Sequence, residues 1–403
     1  MTVQRFVPDI DIVELHEGNV EVLSIDELDD EVEDKTRVAI MFYEGVAYQR
    51  QLLREYQAIF KIGSSTGKDS SVIVEMAIEA YWQAIMAKEI PADHPLIIVT
   101  TNTMVEHVVY DMYSHYTVEQ VRRSAKAKGI AIHYQLAAPS LPDQFASKYF
   151  GGDKLLLNPS LNSDCTHILK IVPGQQAINN VFDTLTAQQK ALPVLDISGV
   201  RDEESARRAA NIKKYGATVR LSLKQISELI VSQGVGKQQL VKLAPIKDWT
   251  KDDVWLYLDM CGTSPLDKDR DGLKCRIETS FGLQTTQEPG LFPYHLKNAA
   301  LIRMVYGQAS NERCNYVAGD KGGKGSAGGC GGKARYGCFI CGHNPTDKTG
   351  ENLMRFARWN QLGAEAMVRL HDWMARLSTD MRHRAFQARA VDTVGFHVAL
   401  QPN

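Results

Sequence analysis

The feature that most constrains the fold is a short apolar segment that runs directly into a loop of serine, glycine and lysine. Ala58 to Ile62 has the pattern of a buried strand, and residues 63–70 read Gly-Ser-Ser-Thr-Gly-Lys-Asp-Ser. Ser71 to Lys88 then carries apolar residues with mixed helical spacing. This order of strand, loop and helix places free backbone amides and a partial positive charge at the loop, which suits a bound phosphate. The alternative interpretation is an incidental Gly/Ser turn.

Alternating strand and helix patterns around this loop predict a parallel sheet. Further strands are predicted over Leu96–Thr101, Ile130–Leu136, Pro193–Ile197 and around Lys242–Ile246. Helices are predicted over Tyr43–Tyr56, Thr117–Lys128, a segment ending at Ala210, Lys251–Met260 with Thr250 as its N-cap, and the amphipathic tail Glu351–Arg389. Parallel strands need crossover connections of this kind. The predicted fold class is therefore α/β, a doubly wound parallel sheet with helices on both faces, followed by a mostly helical C-terminal region.

The length of 403 residues and the net charge of −2 are those of an ordinary globular protein. The predicted organisation is an acidic N-terminal arm over residues 1–40, an α/β domain over 41–260 and a C-terminal cysteine-bearing region over 261–403. No apolar run reaches the roughly 18 residues of a membrane span, and the first residues lack the layout of a secretory signal. We therefore expect a cytoplasmic protein with no membrane contact.

Charge is distributed unevenly along the chain. Residues 1–35 hold 12 carboxylates against two basic residues, whereas residues 311–403 hold 13 Lys and Arg against 8 Asp and Glu. One interpretation is a solvated acidic arm with ordinary helix surfaces elsewhere. The other is that the basic C-terminal part contacts a polyanion such as nucleic acid.

The loop does not follow the Walker A pattern of phosphate-binding loops. That pattern needs four residues between its glycines and a Ser or Thr after its lysine, whereas three residues separate Gly63 from Gly67 and Asp69 follows Lys68. Residues 65–70 instead resemble Ser-Gly-Gly-x-Asp-Ser, the PP-loop signature of enzymes that cleave ATP between its α and β phosphates. The stretch departs from that signature at Thr66, where the family usually has glycine.

The resemblance to PP-loop ATP pyrophosphatases implies an adenine nucleotide alpha-hydrolase-like fold with a site for ATP and Mg²⁺. By this resemblance, Ser65, Gly67 and Ser70 hold the pyrophosphate, and Asp69 orients the loop or a magnesium ion. The implied catalytic residues are Lys68, Asp69, Ser70 and Arg201. The implied nucleotide-binding set is Ser65, Thr66, Gly67, Lys68, Asp69, Ser70, Asn102, Arg201 and Arg207.

Further stretches are similar to the adenylylsulfate-reductase branch of the same superfamily. They are the loop 102–106 after the second strand, the motif Gly-Val-Arg-Asp-Glu-Glu-Ser at 199–205 with Arg207, and Pro-Ile-Lys-Asp-Trp-Thr-Lys-Asp-Asp-Val-Trp at 245–255. Arg201 follows a predicted strand, where open α/β sheets place ligands and where a guanidinium group can neutralise phosphate charge. The alternative for Arg201 is an ion pair with Glu203 or Glu204.

Four cysteines are crowded into one late segment, Cys314, Cys330, Cys338 and Cys341. The last two form a Cys-x-x-Cys pair, whose thiolates can reach one metal from a tight turn, and four thiolates complete a tetrahedral sulfur site. We expect an iron–sulfur cluster of the 4Fe–4S type, with Zn²⁺ as the alternative metal. Reduced structural or redox thiols are the alternative to any metal. Cys165, Cys261 and Cys275 lie apart from this group.

The cysteine segment also distinguishes between branches of the superfamily. Assimilatory sulfonucleotide reductases carry a Glu-Cys-Gly-x-His tail, and no cysteine follows Cys341, so we expect no reduction by that nucleophile. Arg335 to Cys341, together with the reductase-like domain, resembles the DndC and SspD family of DNA phosphorothioation proteins. That resemblance implies adenylation of a DNA backbone phosphate oxygen and its replacement by sulfur. It also implies DNA, a cysteine desulfurase as sulfur donor and other modification-system proteins as partners.

Two alternatives stay open at this point. The first is a sulfur-transfer or sulfonucleotide-processing PP-loop enzyme that acts on tRNA or a small molecule. The second is a nucleotide-sensing or scaffold protein that binds ATP without turnover. Pyrophosphate release distinguishes the second alternative from both enzymes, and the identity of the product distinguishes the enzymes from each other.

Overall fold

The computed structural model describes residues 25–154, 156, 164–204, 228, 241–261, 301–302, 305–307, 338–341, 346–380, 382, 384–386 and 400–402. The strands in these residues are β1 Ile59–Gly63, β2 Leu96–Thr101, β3 Ile132–Ala137, β4 Val194–Ile197, β5 Val241–Leu243, β6 Arg384–Phe386 and β7 Leu400–Pro402. The α-helices are α1 Ile25–Tyr56, α2 Lys68–Met86, α3 Val108–Ala127, α4 Val172–Thr184, α5 Ala187–Lys190, α6 Lys251–Met260, α7 Lys348–Leu353, α8 Ala357–Gln361 and α9 Ala364–Thr379. Among the described helices, none combines the length and the apolar character needed to cross a membrane.

The first five strands form one parallel sheet in the order β3-β2-β1-β4-β5. Phe60 of β1 is paired with Leu96 of β2 on one side and with Leu195 of β4 on the other. The chain runs outward from β1 through β2 to β3 and then returns to place β4 on the opposite side of β1. The strand order therefore reverses between β1 and β4, and open α/β sheets bind ligands at such a point. The predicted parallel α/β sheet is confirmed.

Alternate residues along the strands pack against helices on opposite faces of the sheet. Phe60 and Ile62 lie in a core that includes residues of α1, α2 and α6, whereas Ile59 lies in a second core with Val181 of α4. Ile97 of β2 joins Ile59 on the α4 face. Because side chains alternate along a strand, a continuous apolar run fills both cores at once. Helices on both faces are as the sequence predicts.

Helix α1 is longer than the helix predicted from the sequence. It begins at Ile25, inside the segment predicted as an acidic arm, rather than at Tyr43. Val38, Phe42 and Val46 recur every four residues and are buried in the same core as α2 and α6. This stripe stabilises the additional turns, while Glu33 and Asp34 on the same helix are exposed.

Other elements agree with the predictions to different degrees. β2 and α6 have the predicted bounds, and the remaining strands of the parallel sheet are displaced by a few residues. Helix α3 begins at Val108 rather than Thr117, because Val109 and Tyr113 extend its buried stripe. The tail is helical through α9, but β6 and β7 then pair antiparallel, so the prediction of a helix to Arg389 is wrong over Arg384–Phe386. Beyond the turn Asp202–Glu204, the helix predicted through Ala210 lies outside the described residues.

A polar network joins α1 to the start of α6. Thr250 and Asp253 form a capping box, in which each side chain accepts a hydrogen bond from the backbone amide of the other residue. The buried Asp253 carboxylate also accepts a hydrogen bond of 2.7 Å from Arg37 of α1. Burial raises the pKa of Asp253, but the hydrogen bonds from Arg37 and Thr250 outweigh burial, so the pKa lies below its ordinary value.

Asp253→Asn should lower the free energy of unfolding at neutral pH by about 1–2 kcal/mol, because it weakens the charge-assisted bond to Arg37 and the helix cap. The folded-state pKa is lowered, so this stabilisation is present above the pKa of the unfolded chain and is lost as the pH falls through the folded pKa. Urea unfolding at neutral and acidic pH measures both effects. Asp252→Asn, at the neighbouring exposed position, is the matched control and should change stability by less than about 0.5 kcal/mol. Equal losses in the two variants would contradict the network.

Candidate nucleotide-binding site

The loop between β1 and α2 folds back on itself through its own hydroxyl groups. The Thr66 amide donates to Ser64 Oγ over 3.1 Å, and the Gly67 amide donates to Ser65 Oγ over 3.4 Å. Ser65 Oγ lies 3.2 Å from Ser70 Oγ, which in turn donates to the Gly67 carbonyl oxygen over 3.0 Å. Gly67 is the N-cap of α2 and provides no side chain to cap it. The amides of the first helical turn and the positive end of the helix dipole are therefore directed at the loop.

Thr66 adopts a left-handed backbone conformation, with φ of 54°. This conformation costs a β-branched residue about 1–2 kcal/mol and is free for glycine, which explains why the family signature has glycine there. The buried Thr66 hydroxyl compensates: its oxygen lies 3.0 Å from Ser114 Oγ and 3.3 Å from Tyr110 Oη, both on α3. Tyr110 also donates to the Ser65 carbonyl oxygen. The threonine thus links the loop to α3.

Arg201 reaches the same loop from the end of β4. Its Nε lies 2.5 Å from Asp69 Oδ1, and its Nη1 lies 2.8 Å from Glu203 Oε2. The Arg201 side chain is only 4% exposed. Gly199 permits this approach, because a Cβ at that position would lie 3.0 Å from the Asp69 carbonyl oxygen. The alternative ion pair with Glu203 is therefore present, together with a pair to Asp69 that the sequence did not reveal.

Lys68 is the second cation bound to Asp69. Its Nζ contacts Asp69 Oδ2, whereas Arg201 contacts the other carboxylate oxygen, Oδ1. Burial lowers the pKa of Lys68, Asp69 opposes that change, and Arg201 and Lys251 reinforce it. One carboxylate thus holds two largely buried cations at the start of α2, at the point where the strand order of the sheet reverses.

Asn102 lies at the neighbouring strand end, where it shapes the connection from β2 to α3. Its Nδ2 donates to Asp111 Oδ1 over 2.6 Å, and its Oδ1 accepts from the Met104 amide over 2.8 Å. Met104 is left-handed, with φ of 64°, and this turn fixes that conformation. Asn102 therefore organises the loop between β2 and α3. Arg207, the remaining residue of the predicted nucleotide-binding set, lies outside the described residues.

The Cys-x-x-Cys turn packs against this β2–α3 loop. Cys338 forms an antiparallel bridge with Glu106, and the Phe339 amide donates to the Val105 carbonyl oxygen over 3.0 Å. Cys338 Sγ lies 3.4 Å from Thr103 Oγ1. Because β1 and β2 are adjacent parallel strands, about 4.8 Å apart, the loops that follow them share one edge of the sheet. The cysteine turn and the serine-rich loop are therefore neighbours, which their separation in sequence does not show.

The cysteine turn has part of what a metal centre requires. The Cys341 amide donates to the Cys338 carbonyl oxygen over 3.1 Å, so both thiols stand on one tight turn. Burial, followed by the charge of Glu106, raises the pKa of Cys338 to about 12, so a cation would be needed to hold it as a thiolate. Cys314 and Cys330 lie outside the described residues. Within the described part of the chain no group of three or more metal-binding side chains comes together, so the four-cysteine site stays a prediction.

Several residues around the site escaped sequence analysis. Tyr110 and Ser114 belong to no motif, and only the packing of α3 beside the loop reveals them. Cys165, distant in sequence, joins the apolar cluster that contains Cys338. His107 and Asp347, both buried, contact each other over 3.2 Å and tie the start of α3 to the start of α7. His107 gave only a weak signal in the sequence, as a histidine that precedes a helical pattern. Cys165 was visible only as a cysteine apart from the group of four, and Tyr110 and Ser114 gave no signal.

The chain matches the family model for the phosphoadenosine phosphosulfate reductase domain over residues 60–265. The match begins inside β1, contains the serine-rich loop and Arg201, and ends just after α6. It leaves the cysteine turn and helices α7 to α9 outside.

Among solved structures, the chain is similar to the U34-tRNA thiolase NcsA from Methanococcus maripaludis with its [4Fe-4S] cluster. The identity is 15%, the alignment covers 66% of this chain and 80% of that chain, and the TM-score is 0.32. A TM-score this low carries no inference about the chain. No curated protein matches the sequence.

Thr66→Val should lower the free energy of unfolding by about 1–3 kcal/mol, because it keeps the left-handed cost and leaves a buried polar partner without its hydrogen bond. Equilibrium unfolding in urea measures the change. Thr36→Val, at an exposed position on α1, is the matched control and should stay within about 0.5 kcal/mol of the parent protein. A Thr66→Val protein as stable as the control would show that the hydroxyl does not compensate for the backbone.

Proposed function

We propose that this chain, which belongs to the phosphoadenosine phosphosulfate reductase domain family, cleaves ATP to AMP and pyrophosphate to activate an oxygen for replacement by sulfur. Family membership identifies a PP-loop domain of the sulfur-transfer type. The observation that carries the proposal further is the arrangement of Lys68 and Arg201 on one carboxylate, Asp69, at the N-terminus of α2. Both cations are at least 88% buried, so a phosphate that reaches them meets little competing water.

The ion network around Asp69 indicates how such a site would accept a triphosphate. Lys68 and Arg201 are paired with Asp69 and Glu203, so the two carboxylates compensate their charges. A triphosphate carries more negative charge than the two carboxylates and accepts bidentate bonds from a guanidinium group. We infer that phosphate oxygens displace Asp69 from Lys68 and Arg201. Asp69 is then free to hold Mg²⁺, whose preferred ligands are carboxylate, phosphate and water oxygens.

In this mechanism the substrate oxygen attacks the α-phosphorus of ATP, and the bond to the β-phosphate breaks. Negative charge develops on the departing pyrophosphate, where Arg201, Lys68 and the amides at the start of α2 neutralise it. Ser65 and Ser70, 3.2 Å apart, can each donate a hydroxyl hydrogen to the same group. The oxygen, now esterified to AMP, becomes a leaving group that a sulfur nucleophile displaces.

We propose that the cysteine turn takes part in the second step. Cys338 lies against the β2–α3 loop, at the same sheet edge as the serine-rich loop. A metal held by Cys338 and Cys341, with Cys314 and Cys330, would supply a Lewis-acidic centre able to bind sulfide. The chain's own contribution is partial burial of Cys338, which raises the pKa of its thiol.

For the substrate, family membership favours the broader of the two sequence hypotheses. The family is described by a sulfated adenine nucleotide, which is a small molecule, so we propose a sulfur-transfer or sulfonucleotide-processing enzyme that acts on tRNA or a small molecule. DNA phosphorothioation has no support from the comparisons. It rests on the resemblance of residues 335–341, of which 335–337 lie outside the described residues, and remains a prediction.

Purified protein should convert ATP to AMP and pyrophosphate in the presence of Mg²⁺. Ser70→Ala and Asp69→Ala should each reduce the rate at least tenfold, which corresponds to about 1.4 kcal/mol of transition-state stabilisation. Chromatographic separation of AMP from ADP measures the products. Asp93→Ala is the control, because Asp93 precedes β2 and so lies at the opposite edge of the sheet. ADP and orthophosphate as the sole products would overturn the assignment.

Protein prepared without oxygen should contain about four iron atoms per chain and show visible absorption if the centre is a 4Fe–4S cluster. Cys338→Ser and Cys341→Ser should lose both, because each removes a thiolate ligand. Cys261→Ser is the matched control, since Cys261 is buried in the main core and donates to the Tyr257 carbonyl oxygen. Zinc in place of iron would leave the cysteine site but change the assigned metal. Protein that contains no metal would refute the proposed metal centre.

A further inference from the structure

A residue from outside the matched domain reaches the start of α2. The family match ends at residue 265, and Tyr306 lies well beyond that position along the chain. Its hydroxyl oxygen accepts a hydrogen bond from the Lys68 amide over 3.4 Å. This amide is the first of α2, at the N-terminus where Gly67 provides no cap.

The backbone is shaped to admit the Tyr306 hydroxyl. Gly67 has φ of −77°, which any residue can adopt, so its backbone conformation does not require glycine. Space does require it, because a Cβ on Gly67 would lie 2.8 Å from Tyr306 Oη. The Tyr306 ring is held edge-on against Trp255 of α6, with ring centroids 5.5 Å apart. The hydroxyl is therefore directed at the loop by packing on the protein core.

Two tyrosines of α3, Tyr110 and Tyr113, lie within electrostatic range of Tyr306. Burial is the main cause of the raised pKa values of Tyr110 and Tyr113, and Tyr306 contributes to both. Tyr110 itself contacts Ser65 and Thr66. The loop is thus contacted by Tyr110 of α3, and the Lys68 amide that follows it by Tyr306.

A hydrogen bond of 3.4 Å is longer than the 2.7–3.2 Å of well-formed bonds, so the Lys68 amide is held weakly. A charged phosphate oxygen is a stronger acceptor and would take this amide. That oxygen would then lie beside Tyr306 Oη, whose hydrogen can be donated to it. If the Tyr306 hydroxyl only capped α2, it would instead compete with the phosphate for the Lys68 amide.

We infer that Tyr306 is a pyrophosphate-binding residue, which donates its hydroxyl hydrogen to the phosphate oxygen that also accepts a hydrogen bond from the Lys68 amide. This inference rests on the proposed function. It adds to the proposed nucleotide site one side chain, Tyr306, that lies outside the matched domain.

The test is calorimetric titration of the full chain with inorganic pyrophosphate and Mg²⁺, and separately with AMP. Tyr306→Phe keeps the ring against Trp255 and should weaken pyrophosphate binding about tenfold, the loss expected for one charge-assisted hydrogen bond. AMP binding should change less than about twofold, because AMP lacks the β and γ phosphates. Tyr257→Phe is the matched control: Tyr257 lies on α6 close to Trp255, stacks on Phe42, and should leave both affinities unchanged.

The outcomes separate the inference from the proposed function. Unchanged or tighter pyrophosphate binding by Tyr306→Phe would overturn the inference, and a parallel loss of AMP binding would show a structural role instead. Ser70→Ala is titrated alongside. If Ser70→Ala loses pyrophosphate binding while Tyr306→Phe retains it, the loop site stands and the inference alone fails. If the parent protein does not bind pyrophosphate, both fail.

Discussion

The ion pair between Arg201 and Asp69 joins two parts of the sheet at the point where its strand order reverses. Arg201 follows β4 and Asp69 lies in the first turn of α2, so the pair bridges adjacent strands β4 and β1 across the crevice between them. Gly199 makes the bridge possible by allowing the chain after β4 to approach the α2 backbone. Glu203 extends the network by accepting from the Lys251 amide at the start of α6. The conformation of the serine-rich loop, the packing of α6 and the orientation of Arg201 therefore depend on one another. A change in any one of them would alter the loop.

Helix α3 and the loop before it connect the serine-rich loop to the cysteine turn. Tyr110 and Ser114 of α3 hold Thr66, while the loop that precedes the helix receives Cys338. The Thr66 hydroxyl bonds to these α3 side chains and to the Ser65 carbonyl oxygen, which offsets the cost of its left-handed backbone. A helix joined to both elements fixes their relative positions, as the proposed two-step reaction at one substrate atom would require. The same sheet edge thus combines the Lys68 and Arg201 cations with the partly buried Cys338 thiol.

The fold could be predicted from the sequence to the extent that local pattern decided it. The apolar runs that form β1 and β2 sit between turn signals, so their existence and their parallel pairing followed from the crossover helices. Helix α1 was predicted too short, because the stripe Val38, Phe42 and Val46 gains its stabilisation from α2 and α6 rather than from local propensity. For the same reason the tail was predicted as a continuous helix, whereas β6 is formed by pairing with β7, a partner distant in sequence.

The sequence by itself determined the chemistry of the serine-rich loop, because residue types and spacing at positions 63–70 fix which backbone amides and hydroxyls stand at a helix start. It also determined that Arg201 follows a strand and that Cys338 and Cys341 share a turn. Only the tertiary structure decided that Asp69 pairs with both Lys68 and Arg201, that Cys338 packs on the loop after β2, and that Tyr306 reaches the Lys68 amide. The reason is physical: strand order and helix packing bring together side chains that are far apart along the chain, and the energy of those contacts belongs to pairs of residues rather than to any local pattern.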